Sequence, residues 1–213
     1  IFKNTEGTPE NIRKFHPNII VSSTGSAPLL PPIAGLKDRI DNENHNIYSI
    51  LGMISHINDF PKDLEGKKVV VVGGGAVGLD VVEFFADRNA DISIVEMMDQ
   101  IGRDLDPVSK NDTKTMMKKH NVHQLTKTAL LEVKDSSFLV KGDGEPYELP
   151  FEYGFVCLGM RAQGQLYQNL TEEFSSEDVE IMNIGDSQRA RRIIDGTQEG
   201  RNILTVLEQK GYL

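Results

Sequence analysis

Lys68-Val69-Val70-Val71-Val72-Gly73-Gly74-Gly75-Ala76-Val77-Gly78 sets a β-branched run directly against glycines at the first, third and sixth places of a turn. Four consecutive valines read as a strand buried on both faces. Val77 to Asn89 reads as a helix, because Val77, Val81, Val82 and Phe85 recur on one face. Asp91-Ile92-Ser93-Ile94-Val95-Glu96 is then a second strand. It ends on an acid about 20 residues beyond the glycines, the spacing of a dinucleotide fingerprint. In that reading Gly73 makes the tight turn, Gly75 lets backbone approach a pyrophosphate, and Gly78 lets helix and strand pack closely. The helix start turns unpaired N–H groups and a positive dipole end toward the phosphates. Glu96 accepts hydrogen bonds from an adenosine ribose. The competing reading is an ordinary glycine turn in a parallel sheet; strand, helix, second strand and terminal acid together disfavour it.

The 213 residues suit one large or two small domains with ample core. Apolar content of 38% and charged content of 26% are those of a soluble globular protein. A formal charge of -9 argues against nucleic-acid or acidic-membrane partners. The one cysteine, Cys157, lies in an apolar run, which excludes a disulfide framework, a cysteine metal site and thiol–disulfide exchange by this chain alone. No stretch approaches the roughly 18 apolar residues of a membrane span and no signal peptide is visible, so a cytoplasmic location is the default. The chain opens on Ile1 rather than Met, which reads as a fragment.

Ile1 to Asn4 is expected as a terminal strand. Thr8-Pro9-Glu10 starts a helix to about Phe15, and Pro17 to Ser23 is a strand. Thr24 to Pro28 forms a turn, and Leu29 to Gly35 an extended exit. Tyr48 to Ile57 is helical in pattern. Asp106-Pro107 caps a polar helix to about Lys119, and Val122 to Leu125 is a short strand. Leu130 to Val133, Phe138 to Val140 and Tyr147 to Leu149, separated by turn residues, form an antiparallel meander. Phe151 to Leu158 returns as a buried strand, and Glu180 to Ile184 is the last one. Arg189 to Lys210 is a long helix, whose apolar and small stripe runs through Ile193, Thr197, Gly200, Ile203, Leu204 and Leu207.

Three further signatures surround the fingerprint: Ser23-Thr24-Gly25-Ser26-Ala27-Pro28, Val156-Cys157-Leu158-Gly159-Met160-Arg161 and Asn183-Ile184-Gly185-Asp186. Their order resembles the two-dinucleotide flavoproteins, in which an NAD(H)-binding domain is inserted into an FAD-binding domain. Lys67 to Gly78, Glu96 to Pro107 and Ile184 to Gly200 are most similar to the C-terminal half of the 2-enoate reductase and 2,4-dienoyl-CoA reductase group, old-yellow-enzyme relatives carrying FMN, an iron–sulfur cluster and FAD. The resemblance implies an α/β fold: a Rossmann-like NAD(H)-binding domain over residues 56–165, parallel sheet plus antiparallel meander, inserted into a partial FAD-binding domain over 1–55 and 166–213. No second glycine fingerprint lies in residues 1–60. The FAD glycine loop, the iron–sulfur cysteines and the FMN-bearing barrel are therefore expected upstream, within roughly 100 to 450 residues. FMN and the cluster would belong to that N-terminal part, FAD to the intact protein, and the chain alone is expected to be inactive.

By the same resemblance, Gly73, Gly75, Ala76, Val77, Gly78 and Glu96 would bind NAD(H), with Gly159 near the nicotinamide. Thr24, Gly25, Gly185 and Asp186 would line the FAD site. Asp80 stands where relatives carry an acid near the flavin–nicotinamide contact, which makes it the one candidate catalytic residue; an acid favourably placed near a helix N-terminus is the competing reading. An acid at Glu96 suits a free 2′-hydroxyl and repels a 2′-phosphate, which favours NADH, although Arg103 leaves NADPH in play. His120 and His123 straddle a helix end and a strand start without a supporting cluster, so no metal site is expected. Arg189, Arg191 and Arg192 read either as a solvated face or as contacts to cofactor phosphates or the barrel. Met97, Met98, Met116 and Met117 read as core filling rather than as a binding surface. The implied function is passage of hydride from NADH to FAD, for reduction of an activated C=C bond elsewhere in the enzyme. The alternatives are a non-catalytic ADP-binding scaffold of the trimethylamine dehydrogenase type, and a stand-alone NADH oxidase or ferredoxin-reductase type enzyme. A homo-oligomer is left open.

Overall fold

The computed structural model describes residues 1–212. The chain begins with α1 (Pro9–Arg13), β1 (Ile19–Ser22) and β2 (Ser26–Pro28). α2 (Leu36–Arg39), β3 (Ile47–Tyr48) and α3 (Ile50–Ser55) lead into β4 (Lys68–Val72), α4 (Ala76–Ala86) and β5 (Asp91–Val95). α5 (Pro107–Lys119) and β6 (His123–Leu125) precede the hairpins β7 (Ala129–Val133), β8 (Ser137–Lys141) and β9 (Tyr147–Pro150). β10 (Tyr153–Val156), β11 (Met160–Ala162), α6 (Gln165–Glu173), β12 (Glu180–Asn183), a 3-10 turn at Gly185–Ser187 and α7 (Ile193–Gln209) complete it.

Residues 28–159 form one compact unit. Its five-stranded parallel sheet has the order β3-β10-β4-β5-β6, so β4 is flanked on both sides. The valine run is thereby buried on both faces, as a central parallel strand requires. Its two-residue period divides it: Val69 and Val71 join Val81, Val82 and Phe85 of α4 in one core, while Val70 and Val72 join Val133, Phe138 and Val140 in the other. The second core lies under the antiparallel β7-β8-β9 sheet. α5 runs as expected, because Asp106 Oδ1 accepts from the Val108 and Ser109 N–H groups at 3.0 and 3.1 Å.

The boundary of this unit departs from the expected 55/56 and 165/166. β3 adds to the sheet edge through Ile47 opposite Gly154, and Leu36, Ile40 and Ile47 are buried in the second core. Residues 28–55 are therefore held by apolar burial to the nucleotide-type sheet, and Met160 onward belongs with Ile1–Ala27.

In the other unit, β1 pairs with β12 in parallel, Ile19 opposite Glu180 through Ser22 opposite Asn183, and β2 pairs with β11. Its core is small: Ile20, Leu170 and Phe174. α6 was not expected in so polar a stretch; Leu166, Leu170 and Phe174 recur at four-residue spacing and supply its one apolar stripe. Ile1 to Asn4 forms no strand: Ile1 and Phe2 are exposed, and the Phe2 ring lies 5.0 Å from that of Phe15. α7 starts at Ile193 rather than Arg189, because the Arg191 and Arg192 N–H groups donate to the side chains of Asp186 and Asp195. Of its expected stripe Leu207 is buried, whereas Ile193 and Leu204 face outward. No helix among the described residues is long and apolar enough to cross a membrane.

Candidate nucleotide-binding site

At the carboxyl end of β4 the chain must turn without side chains. Gly73 adopts φ 108°, and a Cβ there would stand 2.1 Å from the Cys157 carbonyl oxygen. A Cβ on Gly78 would stand 1.9 Å from the Gly73 oxygen, so α4 packs on the turn only with glycine at that place. Gly75 differs: a Cβ would meet nothing within 4 Å. α4 begins there with no side-chain cap, leaving the N–H groups of its first turn open to an acceptor.

These residues border a cleft of about 590 Å³. Gly73, Gly75, Ala76, Val77, Glu96 and Gly159 all line it, which brings together six residues singled out from sequence. Gly78 lies buried beneath the turn. The remaining wall comes from Pro31 and Ile33, from Met97, and from Thr128, Ala129 and Leu130. No local pattern marks that wall, since it is supplied by the loop before α2, the turn after β5 and the start of β7. Met97 and Met98 are exposed rather than core residues, because the chain leaves the sheet at Glu96.

Glu96 Oε2 accepts from the Gly74 N–H at 2.6 Å, and Oε1 accepts from the Met98 N–H at 2.7 Å. A carboxylate offers about four lone-pair sites, so both oxygens retain capacity for hydroxyl donors. A smaller pocket of about 410 Å³ beside Glu96 is lined by Gly74, Gly75, Met98, Gln100, Arg103 and Asp104. An open helix start, an acid with spare acceptors and apolar walls fit a dinucleotide: pyrophosphate, ribose and base each find matching chemistry.

Asp80 does not line this cleft. It sits in a groove of about 340 Å³ between α4 and α5, with Glu83, Ser109 and Asp112, and partial burial pushes its carboxyl above the usual range. The Cys157 thiol at the cleft floor is pushed up to about 12, by burial and then by the Asp80 charge.

In the other unit, Thr24 Oγ1 donates to the Gln163 carbonyl at 2.5 Å, and the Gln163 N–H donates to the Gly25 carbonyl at 3.0 Å. Asp186 accepts from Ser26 Oγ and from the Arg191 N–H, both at 3.1 Å. Gly185, at φ 66°, donates its N–H to Glu199 at 2.7 Å, and the same carboxylate pairs with Arg191. All three arginines are exposed, but Arg191 is a clasp within the unit, and Arg192 Nε lies 3.9 Å from Asp195. His120 ends α5, and His123 Nε2 lies 3.6 Å from Asp91.

Similarity to known proteins follows this geometry. Residues 2–182 match the family model described as pyridine nucleotide-disulphide oxidoreductase. A metal reductase of Desulforamulus reducens is 26% identical over 93% of this chain and 32% of its own length. An NADH oxidase of Thermoanaerobacter brockii is 26% identical over 90% of this chain and 28% of its own. A cinnamate reductase of Clostridium sporogenes is 21% identical over 90% and 27%. The chain therefore spans about a third or less of these relatives. Among solved structures, a 2-naphthoyl-CoA reductase superposes with a TM-score of 0.75 at 22% identity, over 92% of this chain and 28% of that one, a likeness of fold. With the match covering most of its residues, the chain belongs to the pyridine nucleotide-disulphide oxidoreductase family.

Proposed function

We propose that this chain is the NADH-binding, flavin-reducing module of a larger flavoenzyme that reduces an activated C=C bond of the 2-enoate or dienoyl-CoA type. The observation carrying this reading is Glu96, an acid at the rim of a glycine-lined cleft with acceptor capacity to spare. When bound, NADH supplies a hydride and FAD accepts it. The chain's own residues bind and orient. The N–H groups at Gly75, Ala76 and Val77 hold the pyrophosphate, Glu96 accepts from the adenosine ribose, and the apolar wall from Ile33 to Leu130 excludes water. Gly159 lines the same cleft and leaves open space where a Cβ would stand, room for a nicotinamide ring. Thr24, Gly25, Gly185 and Asp186 would hold part of FAD, with Asp186 offering its remaining lone pairs to a ribityl hydroxyl. No side chain here needs to be a nucleophile, and Asp80 is assigned an electrostatic part only.

The C=C reduction is supported by the cinnamate reductase among the relatives, whose greater length leaves room for an FMN and iron–sulfur barrel. Titration of the chain with NADH and NADPH tests the module. NADH binds more tightly, and Glu96→Arg weakens it; equal affinity for the two cofactors overturns the reading. A non-catalytic nucleotide scaffold is the second reading, favoured by the internal bonds that already occupy Asp186. A longer form that purifies yellow with two flavins and bleaches with NADH excludes it.

A further inference from the structure

Two thioethers bracket the Glu96 carboxylate. Met97, 69% exposed, lines the apolar cleft on one side, and Met98, 40% exposed, lines the polar pocket on the other. Of the seven methionines in the chain, these two alone are exposed. Their backbone is fixed. The Met98 N–H donates to Glu96 Oε1, the Met98 carbonyl accepts from the Lys127 N–H at 2.9 Å, and the Glu96 carbonyl accepts from the Thr128 N–H at 2.9 Å. The movable parts of this turn are therefore its side chains.

The cleft holds a second kind of sulfur. Cys157 is buried at its floor, and its raised thiol pKa keeps the reactive thiolate scarce. A thioether needs no deprotonation, so exposure alone decides its oxidation. Met97 meets that condition at the point where the base of a nucleotide anchored on Glu96 would lie, and a flexible thioether packs well on an aromatic edge.

We propose that Met97 is a peroxide-sensitive contact for the purine ring of the bound nucleotide, with Met98 a second oxidation site on the same turn. The thioether sulfur attacks one oxygen of hydrogen peroxide. The S–O bond forms as the O–O bond breaks, sulfur loses two electrons, and the departing hydroxide takes the hydroxyl proton and leaves as water. The product, a polar sulfoxide, replaces an apolar contact, and nucleotide affinity falls. This rests on the cleft being the NADH site.

The test treats the chain with hydrogen peroxide in the presence and absence of saturating NAD+. Oxygen uptake is mapped by peptide mass spectrometry, and NADH affinity is measured after the peroxide is removed. Met97 is expected to take up oxygen before Met53 and Met117, and NAD+ to slow that uptake. NADH binding is expected to weaken about 2- to 10-fold, and Met97→Leu to keep the same affinity before and after treatment. Equal uptake at Met97 with and without NAD+, or unchanged affinity once Met97 is oxidised, overturns the proposal. A chain that binds no NADH before treatment overturns the NADH site itself, and this proposal with it.

Discussion

The Glu96 carboxylate accepts a hydrogen bond from the Gly74 N–H, with Oε2 and N 2.6 Å apart. The Gly74 carbonyl in turn accepts from the Gly102 N–H at 2.7 Å, so the loop after β5 grips the fingerprint turn by both backbone groups of one glycine. The acid that sequence marks as a ribose contact also holds the glycine turn in shape.

Removing that acid should loosen the fold as well as the site. Hydrogen bonds to an ionised acceptor contribute more than neutral ones, and Glu96 is half-buried. Glu96→Ala is expected to lower stability by about 2 kcal/mol, and Glu96→Gln, which keeps one acceptor, by less. Urea denaturation reads both, and an unchanged midpoint for Glu96→Ala contradicts the grip.

The fingerprint glycines should separate into structural and ligand-facing positions. Gly78→Ala forces a Cβ to within 1.9 Å of the Gly73 oxygen and is expected to cost about 3 kcal/mol or more. Gly75→Ala meets open space and should change stability by about 0.5 kcal/mol or less, yet weaken NADH binding by crowding the pyrophosphate. Thermal melts and nucleotide titration of the two variants should give opposite profiles.

Cys157 should make the native state sensitive to alkali. Its folded pKa of about 12 stands above the ordinary value of 9.0, so between these limits the unfolded chain has released a proton that the folded chain retains. Stability should fall as pH rises through that window. Cys157→Ala should show a shallower decline in denaturation measured from pH 8 to pH 11. In the wild type, thiol reagents at neutral pH should label this residue only after unfolding.

Glu199 holds the Gly185 turn of the other unit. The Gly185 N–H and then Arg191 depress its carboxyl below the usual range. This contribution is present above the ordinary carboxylate pKa and lost as pH falls through the depressed value. Glu199→Gln should speed hydrogen exchange at the Gly185 amide at pH 7, and the wild type should approach the variant in acid. Identical exchange at pH 7 would count against the clasp.

What sequence made legible was specified by neighbours in the chain. The valine run and the glycines, the Asp106-Pro107 start of α5 and the turn-separated meander each carry their own instructions. α6 escaped because three apolar residues in a polar stretch acquire meaning only once β1 and β12 lie beneath them. Periodicity marks an apolar and small stripe on α7, yet of it Leu207 is buried and Ile193 and Leu204 are exposed, since period identifies a face and not what covers it.

By itself the sequence determined a dinucleotide fingerprint and the acid that ends it, because glycine sterics and strand-to-helix spacing are local properties. Tertiary structure alone decided which residues wall the cleft, that residues 28–55 join the nucleotide-type sheet, and that Met97 and Met98 stand outside the core. Each of these depends on which distant segments pack together, and long-range burial leaves no mark in any short stretch of sequence. The Lys68–Glu96 unit was visible from the outset. The grip of Glu96 on Gly74 came into view only once β4 and β5 lay side by side.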